Sequence, residues 1–250
     1  MTLSFERIRA EIPVQTAGFL ALAESADFDR RVPSCPEWTH GDLVRHVGRM
    51  QSIVIDAILA ATGAQAGEPL TAPDDVPEAE LIAWVHEVCA RLTVVIETSP
   101  ADATVENFGL EESVVWWSRR VLQDVVIHRA DAAQTVGEPY ELDTEIAVDG
   151  VDELLDVLAT VRGIGGLVEL RGSGVIHLHA TDTEAEWLVE LNEKGFTWKR
   201  GHDKGEVALR GPLTEILLAL YRRQSLDDGK LEVLGDAELL DFWLDNASIG

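Results

Sequence analysis

The sequence predicts a four-helix bundle followed by a smaller α+β domain built on an antiparallel sheet, and two changes along the chain predict it. Over roughly the first 140 residues, apolar side chains recur three and four apart, the period of a helix with one buried face. Beyond about residue 165 they alternate, the period of a half-buried strand. Between the two regimes, the segment Gly137 to Tyr140 carries turn residues. The boundary is therefore expected near Leu142, giving domains 1–141 and 142–250.

The elements follow in order. Residues 4–24 carry Phe5, Ile8, Ile12, Phe19, Leu20 and Ala23 at helical spacing, in a first helix that Pro13 should kink or restart. In RRVPSCPEWTHGDLVRHVGRM the two prolines predict an extended loop, and Thr39 with Asp42 three residues on resembles a capping box. A second helix then reaches about Ala61, with Leu43, His46, Val47, Met50, Val54 and Ile58 as its buried stripe. Residues 63–77, rich in Gly, Pro, Ala and Asp, read as a surface loop. Leu81, Trp84, Val85, Val88, Leu92 and Val95 define a third helix with Arg91 at the border of its apolar face, and a loop over residues 99–109 precedes the fourth.

In the second domain, Asp143 should cap a helix through Val151, Leu154, Leu155 and Leu158 that ends at Gly163, Gly165 and Gly166. LVELRG, GVIHLHAT, EWLVEL, GFTWKR and EVALRG then alternate as strands of an antiparallel sheet with one solvated face. Helices at 213–223 and 236–245 should cover its apolar face.

Composition narrows the partners. The chain has 45 acidic against 20 basic residues, a net charge of −25 that would repel a nucleic-acid duplex or an anionic membrane. No basic-then-apolar leader is visible, and no apolar run approaches the ~20 residues that span a bilayer. Two cysteines, Cys35 and Cys89, outside any C-x-x-C pair, suit a reducing compartment, so a cytoplasmic protein is expected.

The chemistry concentrates on the fourth helix, VVWWSRRVLQDVVIHRAD, residues 114–131. Trp117, Val121, Asp124, Val125, His128 and Ala132 share its buried face, so a carboxylate and an imidazole four residues apart point together into the core. Either they satisfy each other by hydrogen bonds, or a third ligand and a cation complete them; left unpaired, a buried polar group costs about 2–7 kcal/mol. His46, facing inward from the second helix, is the natural third ligand. Two histidines and one carboxylate leave a coordination position open, the arrangement of a catalytic rather than a structural zinc, and the same donors also suit iron, nickel or manganese.

Other candidates read more plainly. His177 and His179 alternate on one strand and read as a solvated strand face. His40, His86 and His202 look exposed and receive no role. Cys35 reads as packed and inert, and of Trp116 and Trp117 one should be core and one a wall. Arg222 and Arg223, near a helix end, are candidates for binding an anionic substrate, against the ordinary reading as dipole-complementing surface residues.

Together VPSCPEWTHGDLVRHVG, VLQDVVIHRADA and DTEIAVDGVDELL resemble the mycothiol-dependent maleylpyruvate isomerase family over nearly the whole chain. The resemblance implies a DinB-like four-helix bundle with a smaller C-terminal α/β domain. It places the family's metal ligands on His46, Asp124 and His128, with Asp124 where characterised members have Glu. It further implies a divalent metal and mycothiol as cosubstrate, in an isomerase or thiol S-transferase acting on a small electrophile. An arginine near a helix end, Arg222 or Arg223, would face the metal across an interdomain cleft, with Arg91 as substitute. The rival expectation is a non-catalytic small-molecule-binding or interaction protein: the second domain resembles a sterol-carrier-type module and the bundle site would be vestigial.

Overall fold

The computed structural model describes residues 2–65, 68, 70–72, 76–161, 170 and 172–247. The chain divides into two compact units, Leu3–Tyr140 and Glu141–Gly250, the latter with Met1–Thr2.

The first unit is a four-helix bundle: α1 (Phe5–Ala23), α2 (His40–Thr62), α3 (Glu78–Thr98) and α4 (Val114–Val136). α1 packs on α4 and α3, and α2 packs on α3 and α4. The apolar stripes read from sequence meet at the centre, where Ile8, Phe19, Leu43, Val47, Ile58, Leu92 and Val125 are fully buried. α2 and α3 approach closely because Gly48 has no side chain; a Cβ there would come within 2.3 Å of the Trp84 ring.

Three local expectations change. α1 runs on through Pro13 without restarting. The proline removes one hydrogen bond, to the Arg9 carbonyl, while buried Ile8 and Ile12 before it and Phe19 and Leu20 after it hold both halves to the core. The Pro-flanked segment is a ribbon rather than a loop: β1 (Arg31–Val32) pairs antiparallel with β2 (Cys35–Thr39). The segment before α4 forms a second ribbon, β3 (Thr104–Asn107) with β4 (Leu110–Ser113), turning through Phe108 (φ 50°) and Gly109 (φ 77°). Two successive left-handed residues make the tight turn that matches strand twist.

β2 feeds α2 directly. Thr39 Oγ1 accepts from the Asp42 backbone N–H at 3.1 Å, and the Asp42 carboxylate accepts from the Thr39 N–H at 2.9 Å, the reciprocal capping box expected from sequence. This cap sets where the helix starts, and so on which face His46 emerges two turns later.

The second unit contains α5 (Thr144–Val161), β5 (Gly174–Ala180), β6 (Glu186–Asn192), β7 (Gly195–Arg200), β8 (Val207–Gly211), α6 (Leu213–Leu220), β9 (Glu232–Gly235) and α7 (Ala237–Asn246). Asp143 caps α5 as expected, accepting from the Glu145 and Ile146 N–H groups at 2.9 and 3.3 Å. The expected helix end at Gly163, Gly165 and Gly166 lies outside the described residues, as does the LVELRG strand apart from Leu170 and Gly172.

The sheet is mixed, in the order β7-β6-β5-β8-β9. A pure antiparallel meander would have placed β8 beside β7. Instead β8 takes the free edge of β5 and pairs with it parallel, because β6 already occupies the other edge. One sheet face carries Ile176, Leu178, Trp187, Val189, Leu191, Phe196 and Leu209, all buried. The Asp152 carboxylate of α5 is anchored there, accepting from Trp187 Nε1 at 2.7 Å and from Arg200 Nε at 3.0 Å.

α6 stops at Leu220, short of the expected Arg223. The Arg223 N–H donates to the Leu218 carbonyl at 2.8 Å and the Arg222 N–H to the Ala219 carbonyl at 2.9 Å, a Schellman closure with Arg222 left-handed at φ 63°.

Candidate metal centre

Because α2 and α4 lie side by side, His46 meets Asp124 and His128. Both imidazole Nε2 atoms address the same Asp124 oxygen, His46 at 3.8 Å and His128 at 3.9 Å, and the two rings stand edge to face with centroids 4.6 Å apart. These gaps are too long for hydrogen bonds, so the three groups do not satisfy one another. They lie near the ~3.3 Å that separates two ligand atoms bound at about 2.0–2.1 Å to a tetrahedral cation. All three ligand atoms fall within 4.8 Å of one another.

The site is open on one side. The His46 side chain is 29% exposed, against 14% for Asp124 and 9% for His128. Burial alone would raise the Asp124 pKa, but the His128 and His46 imidazoles and the Arg120 guanidinium outweigh it and hold the carboxyl at about 2. Asp124 is therefore an anion at neutral pH, as a cation ligand requires.

Sequence reasoning missed the residue behind His128. Asp131 is fully buried, and its Oδ2 lies 2.8 Å from His128 Nδ1 while its Oδ1 accepts from Ser34 Oγ at 2.5 Å. Since an ionised carboxylate can only accept, Nδ1 carries a proton toward Asp131, which leaves Nε2, on the Asp124 and His46 side, as the atom that a cation would bind. Carboxylate–histidine pairs of this kind orient metal-ligating histidines. The usable signal was the three-residue spacing from His128 to Asp131 on one helix face. Ser34 carried none, since it comes from the β1–β2 turn 97 residues away.

The ribbon also supplies Trp38, whose ring lies 4.8 Å from that of His46 and 5.9 Å from that of His128. Cys35 is half-buried beside Asp131, its Sγ 4.0 Å from Oδ2. Of the adjacent tryptophans, Trp117 is core, donating to the Val105 carbonyl, and Trp116 is half-exposed.

The remaining candidates fall elsewhere. Arg222 and Arg223 belong to the second unit, where Arg222 pairs with Asp245 at 2.9 Å and Arg223 donates to the Tyr221 carbonyl at 2.7 Å. Arg91 donates to the Glu68 carbonyl. His40, expected to be exposed, is buried with its ring edge-on to Phe28, and burial lowers its pKa. His86 is exposed. His177 and His179 do not form a solvated face. They gather with His202 around Glu186, and His177 is only 7% exposed, because the chain after β7 folds over them.

Fold and site define a class: a two-domain protein whose helical bundle brings two histidines and one carboxylate together between two of its helices, in a group that could hold a metal ion. The family model for the mycothiol maleylpyruvate isomerase N-terminal domain matches residues 10–133, and that for the C-terminal domain matches residues 145–242. The chain belongs to the mycothiol maleylpyruvate isomerase family. Among solved structures it is similar to a mycothiol-dependent maleylpyruvate isomerase, with 16% identity and a TM-score of 0.65, and to a histidine-to-alanine mutant of such an isomerase, with 15% identity and a TM-score of 0.66. Each likeness covers 93% of this chain and 95% of the other, and at that identity it is one of fold. No curated protein sequence matches the chain. Among the described residues no helix is long and apolar enough to cross a membrane.

Proposed function

We propose that this protein is a mycothiol-dependent enzyme acting on a small electrophile, as an isomerase or a thiol S-transferase, with a divalent cation held by His46, Asp124 and His128. The observation that carries the reading is the convergence of two Nε2 atoms on one ionised Asp124 oxygen at 3.8 and 3.9 Å, with His128 fixed from behind by Asp131. Zinc suits two imidazoles and a carboxylate best, and nickel, iron and manganese accept the same donors. The shorter Asp124 in place of the family's Glu still lies equidistant from both histidines. Bound there, the cation would lower the pKa of a thiol at its open position, so that thiolate is available near neutral pH.

The chain's own residues supply the rest. Asp131 keeps His128 in the tautomer that offers Nε2, and the Trp38 ring packs beside both imidazoles, 4.8 Å from His46 and 5.9 Å from His128. For an isomerase, the thiolate forms a C–S bond to an activated alkene and the π pair moves onto the conjugated carbonyl as an enolate. After rotation about the resulting single bond, the pair returns, the C–S bond breaks and the thiolate is regenerated. For a transferase the C–S bond is kept and the enolate carbon takes up a proton from solvent, completing the addition. A thiol cosubstrate and two free cysteines, Cys35 and Cys89, favour the cytoplasm as the working compartment.

An anionic acceptor needs positive charge in a chain with a net charge of −25. Arg222 and Arg223 are proposed for it. In support, the Arg222 side chain is 47% exposed, and a guanidinium has five N–H donors, more than its pairing with Asp245 uses.

Metal analysis of the purified protein tests the reading together with thiol-dependent turnover of small electrophiles, maleylpyruvate among them. The His46→Ala, His128→Ala variant should carry one equivalent of metal fewer and lose turnover. Unchanged metal content in that variant refutes the ligand set.

A further inference from the structure

The sheet of the second unit carries another convergence of ligand atoms. β5 places His177 and His179 on the face opposite Leu178 and Trp187, and β6 places Glu186 directly across from His179. The link from β7 to β8, residues 201–206, supplies His202. Glu186 Oε2 lies 2.6 Å from His177 Nε2, 3.1 Å from His179 Nδ1 and 2.6 Å from His202 Nδ1. The four ligand atoms fall within 4.8 Å of one another, and the ring centroids are 5.3–6.3 Å apart.

The backbone is shaped to bring them together. β7 and β8 lie on opposite sides of the β6–β5 pair, so their six-residue link must cross both strands. Gly201 stands at φ 149°, a conformation closed to L side chains. There the strand alternation breaks and His202 turns onto the Glu186 face, although Arg200 two residues earlier reaches Asp152 on the other. Gly205 is pressed against β5, where a Cβ would meet the Val175 carbonyl oxygen at 2.6 Å. The Glu206 N–H donates to that same carbonyl at 2.9 Å.

Three imidazole nitrogens address one carboxylate oxygen, which has about two lone-pair sites. A cation shared by all four atoms relieves that crowding. Placing them at the ~3.3 Å edges of a tetrahedral site requires shifts of about 1 Å or less per atom. His177 and Glu186 are shielded, with side chains 9% and 17% exposed.

We propose that His177, His179, Glu186 and His202 form a second divalent-cation site, of the zinc class, that staples the β7–β8 link to β5 and β6. Four protein ligands close the coordination sphere, so this site is structural, unlike the three-ligand set of the bundle.

The test uses the full chain carrying His46→Ala and His128→Ala, which removes the bundle ligands. Zinc is titrated into the metal-free protein in competition with a chromogenic chelator, and cobalt substitution reports ligand geometry by its visible absorption. The expected result is one remaining equivalent, with the intense visible bands of tetrahedral cobalt. Adding His202→Ala should weaken binding by more than the ten- to hundredfold that follows loss of an outer-shell partner. His202 is 74% exposed, so this variant should fold, which the melting curve of the metal-free form checks. A folded double variant that binds no zinc overturns the proposal, as does affinity within twofold after His202→Ala.

Discussion

Asp131→Asn isolates the charge behind the candidate metal centre. The amide has nearly the volume of the carboxylate and can keep both contacts, its oxygen toward the His128 Nδ1–H at 2.8 Å and its NH2 toward Ser34. What it removes is the negative charge that makes His128 a stronger donor. Outer-shell substitutions of this type cost ten- to hundredfold in metal affinity, or about 1.4–2.8 kcal/mol at 1.4 kcal/mol per tenfold. Asp131→Ala should cost more, because it also leaves a buried N–H without a partner, at about 1–3 kcal/mol. Competition between protein and chelator for zinc at fixed pH measures the affinity. Melting of the metal-free forms separates lost binding from lost folding. Asparagine should weaken binding at least tenfold with little change in metal-free melting. Binding within twofold of wild type would show that Asp131 is a packing residue and would remove the main support for His128 as an oriented ligand.

Chelation should lower the melting temperature, since a ligand binding only the native state at 100 times its Kd adds about 2.7 kcal/mol; a melting curve indifferent to chelator, for protein shown to hold metal, contradicts this. Asp152→Ala strands the Arg200 guanidinium and the Trp187 N–H, and should cost about 3 kcal/mol in urea unfolding, at the low end for a broken buried pair because Arg200 is a third exposed. Asp42→Ala removes half of the α2 capping box and should cost about 0.5–2 kcal/mol at pH 7. The hydrogen bonds from the Thr39 backbone and side chain hold the Asp42 pKa below its usual value, so its stabilisation is present above the ordinary carboxylate range and lost as pH falls through the lowered value. The gap between wild type and variant should therefore close on acidification, and a gap constant down to the acid limit argues against the cap. For Arg222→Gln and Arg223→Gln, one of the two should reduce kcat/KM for an anionic acceptor by the equivalent of about 1.5–3 kcal/mol, the worth of a charge-assisted hydrogen bond; both staying within twofold excludes these arginines.

The sequence by itself determined what depends on neighbours a few residues apart. Helical periodicity marked all four bundle helices, the Thr39–Asp42 spacing marked the start of α2, and the four-residue step from Asp124 to His128 put both on one face whatever the helix packs against. His46 could be added because its stripe faces inward and a bundle has one interior. The two ribbons escaped notice because their strands are two to five residues long, too short for alternation to show. Tertiary structure alone decided the partners that arrive from afar. Ser34 reaches Asp131 only because the β1–β2 turn lies against α4. His202 reaches Glu186, His177 and His179 only because β8 takes the far edge of β5 and draws the link across the sheet. An i, i+4 relation follows from the geometry of one helix, whereas strand order is settled by competition for sheet edges across the whole domain, and no spacing along the chain records its outcome.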